Sequence, residues 1–439
     1  MGNYMIKSAL IIVPHQDDEL NISGFILNRL IKEKVDIRIL YVTNGNFYKD
    51  KYKWRQKERD KVLKLYGDIK YKQLDYDDGY DYKGHLFNEP QVRSKIEKDI
   101  YEYILKCRSD LVVCVDFDSH ADHRMVSALF DKAMCRVLKE ECQYHPIVLK
   151  KFAYLGVWTG ENDYFSIYPM RTCEYQFCNK KQLYLEAIPN AWEDRICIAT
   201  EKDDYSLKFW RSKVFKAYRK YWTQCGYRFF FCASNTDVVY WFRNTDNLML
   251  RARLSADSGN VSLVNDFSLG NITSITRNFK SVEEKFPNSA WIPTDSQKEL
   301  NIFWNKPVRI KTIKLYQNFS ILGHIRAFQV SDKQGYNEIL ECDEKDVNYF
   351  YLKQEIHTDR LVFKILESNG AAGIRELEMY MGEGRFPWKE CPFERYTGNG
   401  SKRTKIGQVL ACKIEHIMWT VLRTANKARK TMGLSYWES

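Results

Sequence analysis

Between residues 8 and 138, short apolar runs alternate with longer stretches of helical spacing, and this alternation tightly constrains the fold. "SALIIVP" reads as a buried strand, and "ELNISGFILNRLIKEK" follows with apolar residues near helical spacing. "VDIRILYVTNG" is a second strand ending in a turn. "KWRQKERDKVLKLYG" is a helix closed by Gly67 at a C-cap position, and "PQVRSKIEKDIYEYILKC" is another helix. "DLVVCVDFD" is a third buried strand, and "DHRMVSALFDKAMCRVL" a further amphipathic helix. Strands separated by helices cannot pair as hairpins. Each crossover returns the chain in the same direction, which predicts βαβ units and an open, parallel α/β sheet. Such sheets bind ligands at the carboxyl ends of their strands.

Two of those ends carry unusual chemistry. The first strand runs into Pro14, His15, Gln16, Asp17, Asp18 and Glu19. Carboxylates this dense are costly at a strand end unless a cation offsets them. The third strand is followed by "SHADH", residues 119–123. The chain has 8 His, and His15, His120 and His123 fall at these two ends. Either motif alone also reads as a helix cap. At two strand ends of one sheet they compose a catalytic metal site, which needs nitrogen and oxygen ligands plus a water. His15, Asp18 and His123 supply that set. Asp17 lies beside it, pointing differently, and is placed as general base for the metal-bound water. His120 is placed to protonate a leaving amine or stabilise an oxyanion, with Asp122 orienting its imidazole.

A length of 439 residues predicts two or three domains, and 44% apolar with 28% charged residues are globular values. The 12 Cys include no C-x-x-C pair, which argues against a zinc ribbon or dense disulfides and for reduced thiols. No apolar run is long enough to span a membrane, and the N-terminal run is too short for a signal peptide. Gly2 is followed by Ile6 rather than the Ser or Thr of a myristoylation signal. A cytoplasmic protein is expected. The net charge of +11 favours anionic partners.

From about 145 to 245 the pattern loosens: "PIVLKKFAYLGVW" and "YRFFFCASNTDVVYWFR" read as strands and "DDYSLKFWRSKVFKAYRKYW" as a helix, closing the first domain. From about 250, short alternating runs separated by turns replace the helical spacing, as in a β-sandwich or jelly roll. In the tail, "TKIGQVLACKIEHIMWTVLRTANKARK" sets Ile406, Leu410, Ile414, Ile417, Val421 and Leu422 on one stripe among basic residues. The expected division is 1–247, 248–383 and 384–439, the last a linker and basic amphipathic helix.

"PHQDDE" followed by "SHADH" resembles the motifs of the PIG-L/LmbE-like de-N-acetylases. "YVTNGN", "RQKERDKVLKLYG" and "QLDYDDG" are similar to further motifs of that family, in the same order. The resemblance covers roughly residues 5–225. It implies a Rossmann-like fold, a bound metal (usually zinc, though ferrous iron suits the same donors) and removal of acetyl groups from N-acetylglucosamine-type substrates. By motif position, His15, Asp18 and His123 become metal ligands and Asp17 the base. His120 becomes the acid or oxyanion stabiliser and Asp122 its orienter. Arg55 and Asp78 become substrate contacts, although a solvated helix face reads equally well for Arg55. Pro14, Gln16 and Ala121 depart from the family pattern; none removes a ligand, and Gln16 puts the rigidity of its loop in question.

"LNIFWNKPVRIKTIKLYQN", "IRAFQVSD" and "DRLVFKILESNGAAGIRELEMY" are similar to discoidin or coagulation-factor C-type modules, galactose-binding-like jelly rolls. The resemblance implies glycan binding at loops or a purely structural unit. Trp291 reads first as a core aromatic and second as a sugar-stacking residue. The basic tail reads as a helix lying on an anionic membrane or packed on its own protein. With no recognised nucleic-acid fold beside the charge, nucleic acid is a weak partner. The expected activity is acetyl removal from an N-acetylated amino sugar. The rivals are an amidase acting on another N-acyl amine and a carbohydrate-binding scaffold with an idle site.

Overall fold

A computed structural model of the chain describes residues 6–46, 52–67, 69–79, 89–116, 121–151, 195–198, 238–270, 287–319, 322–384 and 394–395, together with five positions between 421 and 432. The expected helix at 203–222, His120 and most of the tail lie outside the described residues. Val421, Thr424, Ala428 and Thr431 in the tail are helical and exposed.

The chain opens with β1 (Ser8–Val13), α1 (Asp18–Lys32), β2 (Asp36–Thr43), α2 (Tyr52–Tyr66), β3 (Lys70–Tyr76), α3 (Pro90–Cys107), β4 (Leu111–Val115), α4 (Ala121–Glu140) and β5 (Ile147–Lys151). It continues through β6 (Arg195–Ile198), β7 (Val238–Arg243), β8 (Arg253–Ser255), β9 (Glu299–Gln317), β10 (Ile325–Asp332), β11 (Asn337–Glu341), β12 (Val347–Ser368), β13 (Ile374–Tyr380) and β14 (Glu394–Arg395). Local signals account for the helix limits. Gly67 after α2 takes φ +103°, a conformation that costs glycine little. Pro90 stands in the first turn of α3, where its missing N–H is no loss. Arg108 ends α3 in the left-handed region, and its N–H donates to Ile104 O at 2.8 Å.

Among the described residues the first sheet has eight strands, in the order β14-β6-β7-β5-β4-β1-β2-β3. β1 to β5 run parallel. β7 is antiparallel to β5, and β6 to β7. The core strands are sealed: Ala9 to Val13 and Leu111 to Val115 have no exposed surface. The chain moves outward from β1 through β2 to β3, then crosses back to β4 and β5 on the other side. The order therefore reverses between β1 and β4, the position at which open α/β sheets form a crevice.

The second sheet is antiparallel, in the order β11-β10-β12-β9-β13, with β8 also on β9. β9 and β12 pair along three stretches separated by two irregularities, and Pro307 lies in the gap between Phe303 and Val308. A bulge is where a strand tolerates a residue without an N–H. Its hydrophobic core is separate from that of the first sheet. The segment after residue 247 packs on both, since Leu250 and Phe267 join the first core and Met249 and Val264 the second. Trp291 is fully buried in the second core, and its indole donates to Ser258 O at 2.7 Å. It is thus a core aromatic and not an open stacking surface.

Candidate active site

The reversal point gathers the ends of β1 and β4. The loop after β1 carries His15 to Asp17, and Asp18 and Glu19 open α1. Asp122 and His123 open α4 behind β4. Carboxylates in the first turn of a helix are favoured by its N-terminal partial charge, which lets these acids collect here. All of these side chains are buried.

Asp18 Oδ2 lies 2.9 Å from His15 Nδ1 and 3.1 Å from His123 Nε2. Ligand atoms from the three residues all fall within 4.8 Å of one another. In a tetrahedral site with bonds of about 2.0–2.1 Å, donors stand roughly 3.3 Å apart, so the trio fits a divalent ion after small outward shifts. On its other side, His15 Nε2 stands 2.8 Å from Asp122 Oδ2. A carboxylate there calls for an N–H on Nε2 and directs Nδ1 toward Asp18 and His123, as the outer partner of a ligating histidine does. The structure thus places Asp122 beside His15, a neighbour the sequence did not name, while its expected partner His120 lies outside the described residues. Gly79 N–H donates to the same carboxylate, at 3.1 and 3.2 Å.

The surrounding acids draw positive charge to the site. Burial opposes charge on His15, but Asp78, Asp122 and Asp18 outweigh it and raise its pKa well above the usual value. Burial likewise opposes charge on Asp18, and His123 and His15 reverse that, holding its carboxyl well below the usual range. Asp17 is pushed up to about 8, chiefly by burial, with Arg55 opposing and Asp18 adding.

Asp17 has φ +112°, a conformation a non-glycine residue holds only when its surroundings impose it. Here they do. Its N–H donates to Glu19 Oε2 at 2.7 Å, and its carbonyl accepts from Leu20 N at 3.0 Å. Arg55 Nη2 donates to Asp17 Oδ1 at 3.2 Å and to Gln16 O at 3.0 Å, while Nη1 is 3.5 Å from Asp78 Oδ2. Asp78 Oδ1 also accepts from Gly45 N at 2.9 Å. Arg55 and Asp78 are therefore brought to the site. Arg55 is 4% exposed, which removes the solvated-face reading. Gln16 is fully buried and its amide donates to Asn44 O at 3.1 Å. This tie to the end of β2 stiffens the loop without a proline.

Sequence reasoning assigned no task to Glu19, Gly45 or Gly79. Glu19 had a signal, as the third acid of "DDE". The glycines act through backbone atoms, which composition does not display.

The geometry defines a buried, acid-rich site with a divalent-metal donor set at the switch point of a Rossmann-like sheet. Residues 10–134 match the family model described as PIG-L, GlcNAc-PI de-N-acetylase, so the chain carries an N-terminal PIG-L family domain. No curated protein matches the sequence. Among solved structures, the chain is similar to an N,N'-diacetylchitobiose deacetylase from Pyrococcus horikoshii, with 21% identity, a TM-score of 0.25, and coverage of 32% of this chain and 52% of that one. The chain thus spans about half the length of that deacetylase. It is also similar to a deacetylase in the biosynthesis pathway of teicoplanin, with 14% identity, TM-score 0.36, and coverage of 54% and 97%. A third likeness is to a family 32 carbohydrate-binding module from Streptococcus pneumoniae EndoD, with 15% identity, TM-score 0.24, and coverage of 31% and 99%.

Proposed function

We propose that the protein is a metal-dependent hydrolase that removes the acetyl group from an N-acetylated amino sugar. The observation that carries this reading is the convergence of His15, Asp18 and His123 beside a buried Asp17 fixed by Arg55. The family model matched by residues 10–134 supports it. His15, Asp18 and His123 would hold the ion, zinc or ferrous iron. Once bound, it supplies a Lewis acid for the amide carbonyl and charge to balance a developing oxyanion.

The chain's own groups do the rest. Asp17 accepts the proton of the attacking water as the new C–O bond forms. Arg55 keeps its carboxylate aimed, and burial of the surrounding side chains keeps bulk water out. The C–N bond then breaks, and the proton held at Asp17 passes to the departing amine. His120 is assigned to the oxyanion or to the leaving amine, and Arg55 and Asp78 to contacts with the sugar. The second sheet is assigned to a galactose-binding-like module that takes up glycan.

The test measures acetate release from N-acetylated sugar nucleotides and lipid-linked sugars, beside metal content. Asp17→Asn is expected to abolish turnover and keep the metal. Loss of both together would refute this division of roles. We further propose a cytoplasmic protein held at the inner membrane face by residues 401–439. Among the described residues no helix is long and apolar enough to cross a membrane. Sedimentation with anionic liposomes, with and without that segment, checks the tail; equal sedimentation removes the idea.

A further inference from the structure

Away from the metal donors, a cavity of about 690 Å³ opens at the seam between the end of α4 and the second sheet. That volume lies within the roughly 300–1,000 Å³ of sites that enclose small ligands. Its wall is apolar over Leu250, Leu254, Val261 and Trp304. Leu250 and Trp304 are buried. The Trp304 indole already donates to Leu248 O at 2.9 Å, so the ring offers the cavity only apolar surface. The polar groups of the wall are engaged with the protein as well. Asn265 Nδ2 donates to Met249 O at 2.7 Å and to Ala252 O at 3.1 Å. Asn305 Oδ1 accepts from Arg253 at 3.2 Å. Such a wall suits an apolar chain better than a sugar, which needs many directed hydrogen bonds.

Charge is one-sided. Lys139, Arg251 and Lys306 line the cavity, and no carboxylate does among the described residues. Of the neighbouring acids, Glu140 pairs with Arg136 at 2.9 Å, Glu141 with Arg108 at 2.7 Å and Asp246 with His145 at 3.2 Å, while Asp266 and the buried Glu376 lie within electrostatic reach of Lys139 behind the wall. Arg251 is held in place, with Nη2 donating to Cys142 O at 2.6 Å. We propose that this cavity binds an amphiphilic anion, its apolar chain against Leu250, Leu254, Val261 and Trp304 and its phosphate or carboxylate head between Lys139, Arg251 and Lys306. Burial of the chain supplies the attraction, and the cations set the polarity of the head.

The test uses the full chain and monomeric dodecyl phosphate, followed by calorimetric titration. Saturable one-to-one binding is expected, and Lys139→Ala with Lys306→Ala weakens it about tenfold, since each exposed ion pair contributes modestly. Both lysines are exposed, so the double variant keeps its fold, which thermal unfolding verifies. Val261→Trp, which fills the cavity, is expected to abolish binding. Dodecyl maltoside, with the same chain and a neutral head, binds at least about tenfold more weakly, and inorganic phosphate alone does not saturate. Sedimentation with phosphatidic-acid vesicles, competed by dodecyl phosphate, would mark a bilayer lipid as the source. Binding of the monomer without the vesicles would mark a soluble anion; both outcomes support the site. Equal affinity for the neutral amphiphile, or an unchanged affinity in the double lysine variant, overturns it.

Discussion

Removing the Glu19 side chain tests how the proposed base is held. Glu19 is fully buried, and its Oε2 accepts the N–H of Asp17, the residue at φ +112°. It also meets the Tyr41 hydroxyl, whose pKa is raised first by burial and next by Glu19. A hydrogen bond to a charged acceptor contributes about 1.5–3 kcal/mol, and a backbone strain of this kind stores about 1–3 kcal/mol. Without Glu19, the strained peptide of Asp17 has a buried N–H to satisfy and a reason to relax. Glu19→Ala is expected to lower unfolding stability by about 2–4 kcal/mol. If Asp17 then moves by about 1 Å, turnover falls by roughly a hundredfold. Glu19→Gln keeps an acceptor oxygen at the same place and is expected to restore most of the turnover. The assay is acetate release well below the unfolding midpoint, with metal content measured on each sample. KM should change little, because Glu19 acts on Asp17, the proposed base, and not on a group assigned to the sugar. Glu19→Ala with kcat within threefold of the parent and intact metal content would refute the reasoning.

Asp122→Asn keeps the shape but removes the charge that orients His15 2.8 Å away. Metal affinity is expected to fall about 10–100-fold in a chelator competition titration, and an unchanged affinity would count against the orienting role. Gly45 has φ +79°, and a Cβ there would overlap Gln16 Oε1 and stand 3.2 Å from Arg55 Cδ. Gly45→Ala is expected to cost about 1–2 kcal/mol from the backbone alone and to lower turnover through Arg55, read by denaturant unfolding beside acetate release. Trp291→Ala is expected to cost about 3–5 kcal/mol in the second core, visible in urea unfolding, and to leave glycan affinity unchanged wherever the fold persists.

Most of the first sheet was legible because its strands are sealed and its helices amphipathic. The expected helix over 90–107 and α3 coincide, and Gly67 closes α2 as its position implied. β3 escaped because it is an edge strand. Lys70, Tyr71 and Lys72 face solvent, so its sequence "KYKQLDY" lacks the apolar alternation that marks a half-buried strand. β11 escaped because its acid Glu338 is buried while Ile339 is exposed, and the first part of β12 because exposed Lys353, Gln354 and Glu355 interrupt its apolar pattern.

The motifs named His15, Asp17, Asp18, His123, Arg55 and Asp78, since each class of chemistry needs particular atoms and few residues supply them. What the motifs did not contain was the partner of each atom. That Asp122 turns to His15 and that Arg55 is buried between Asp17 and Asp78 follow from how separate loops and helix starts meet at the strand reversal, whereas the tie of Glu19 to the Asp17 peptide is local. Local sequence sets which groups are present and the period of their burial. Pairings such as Arg55 with Asp17 or His15 with Asp122, 38 and 107 positions apart, depend on the order of strands in the sheet, and that order is decided by packing of the whole chain.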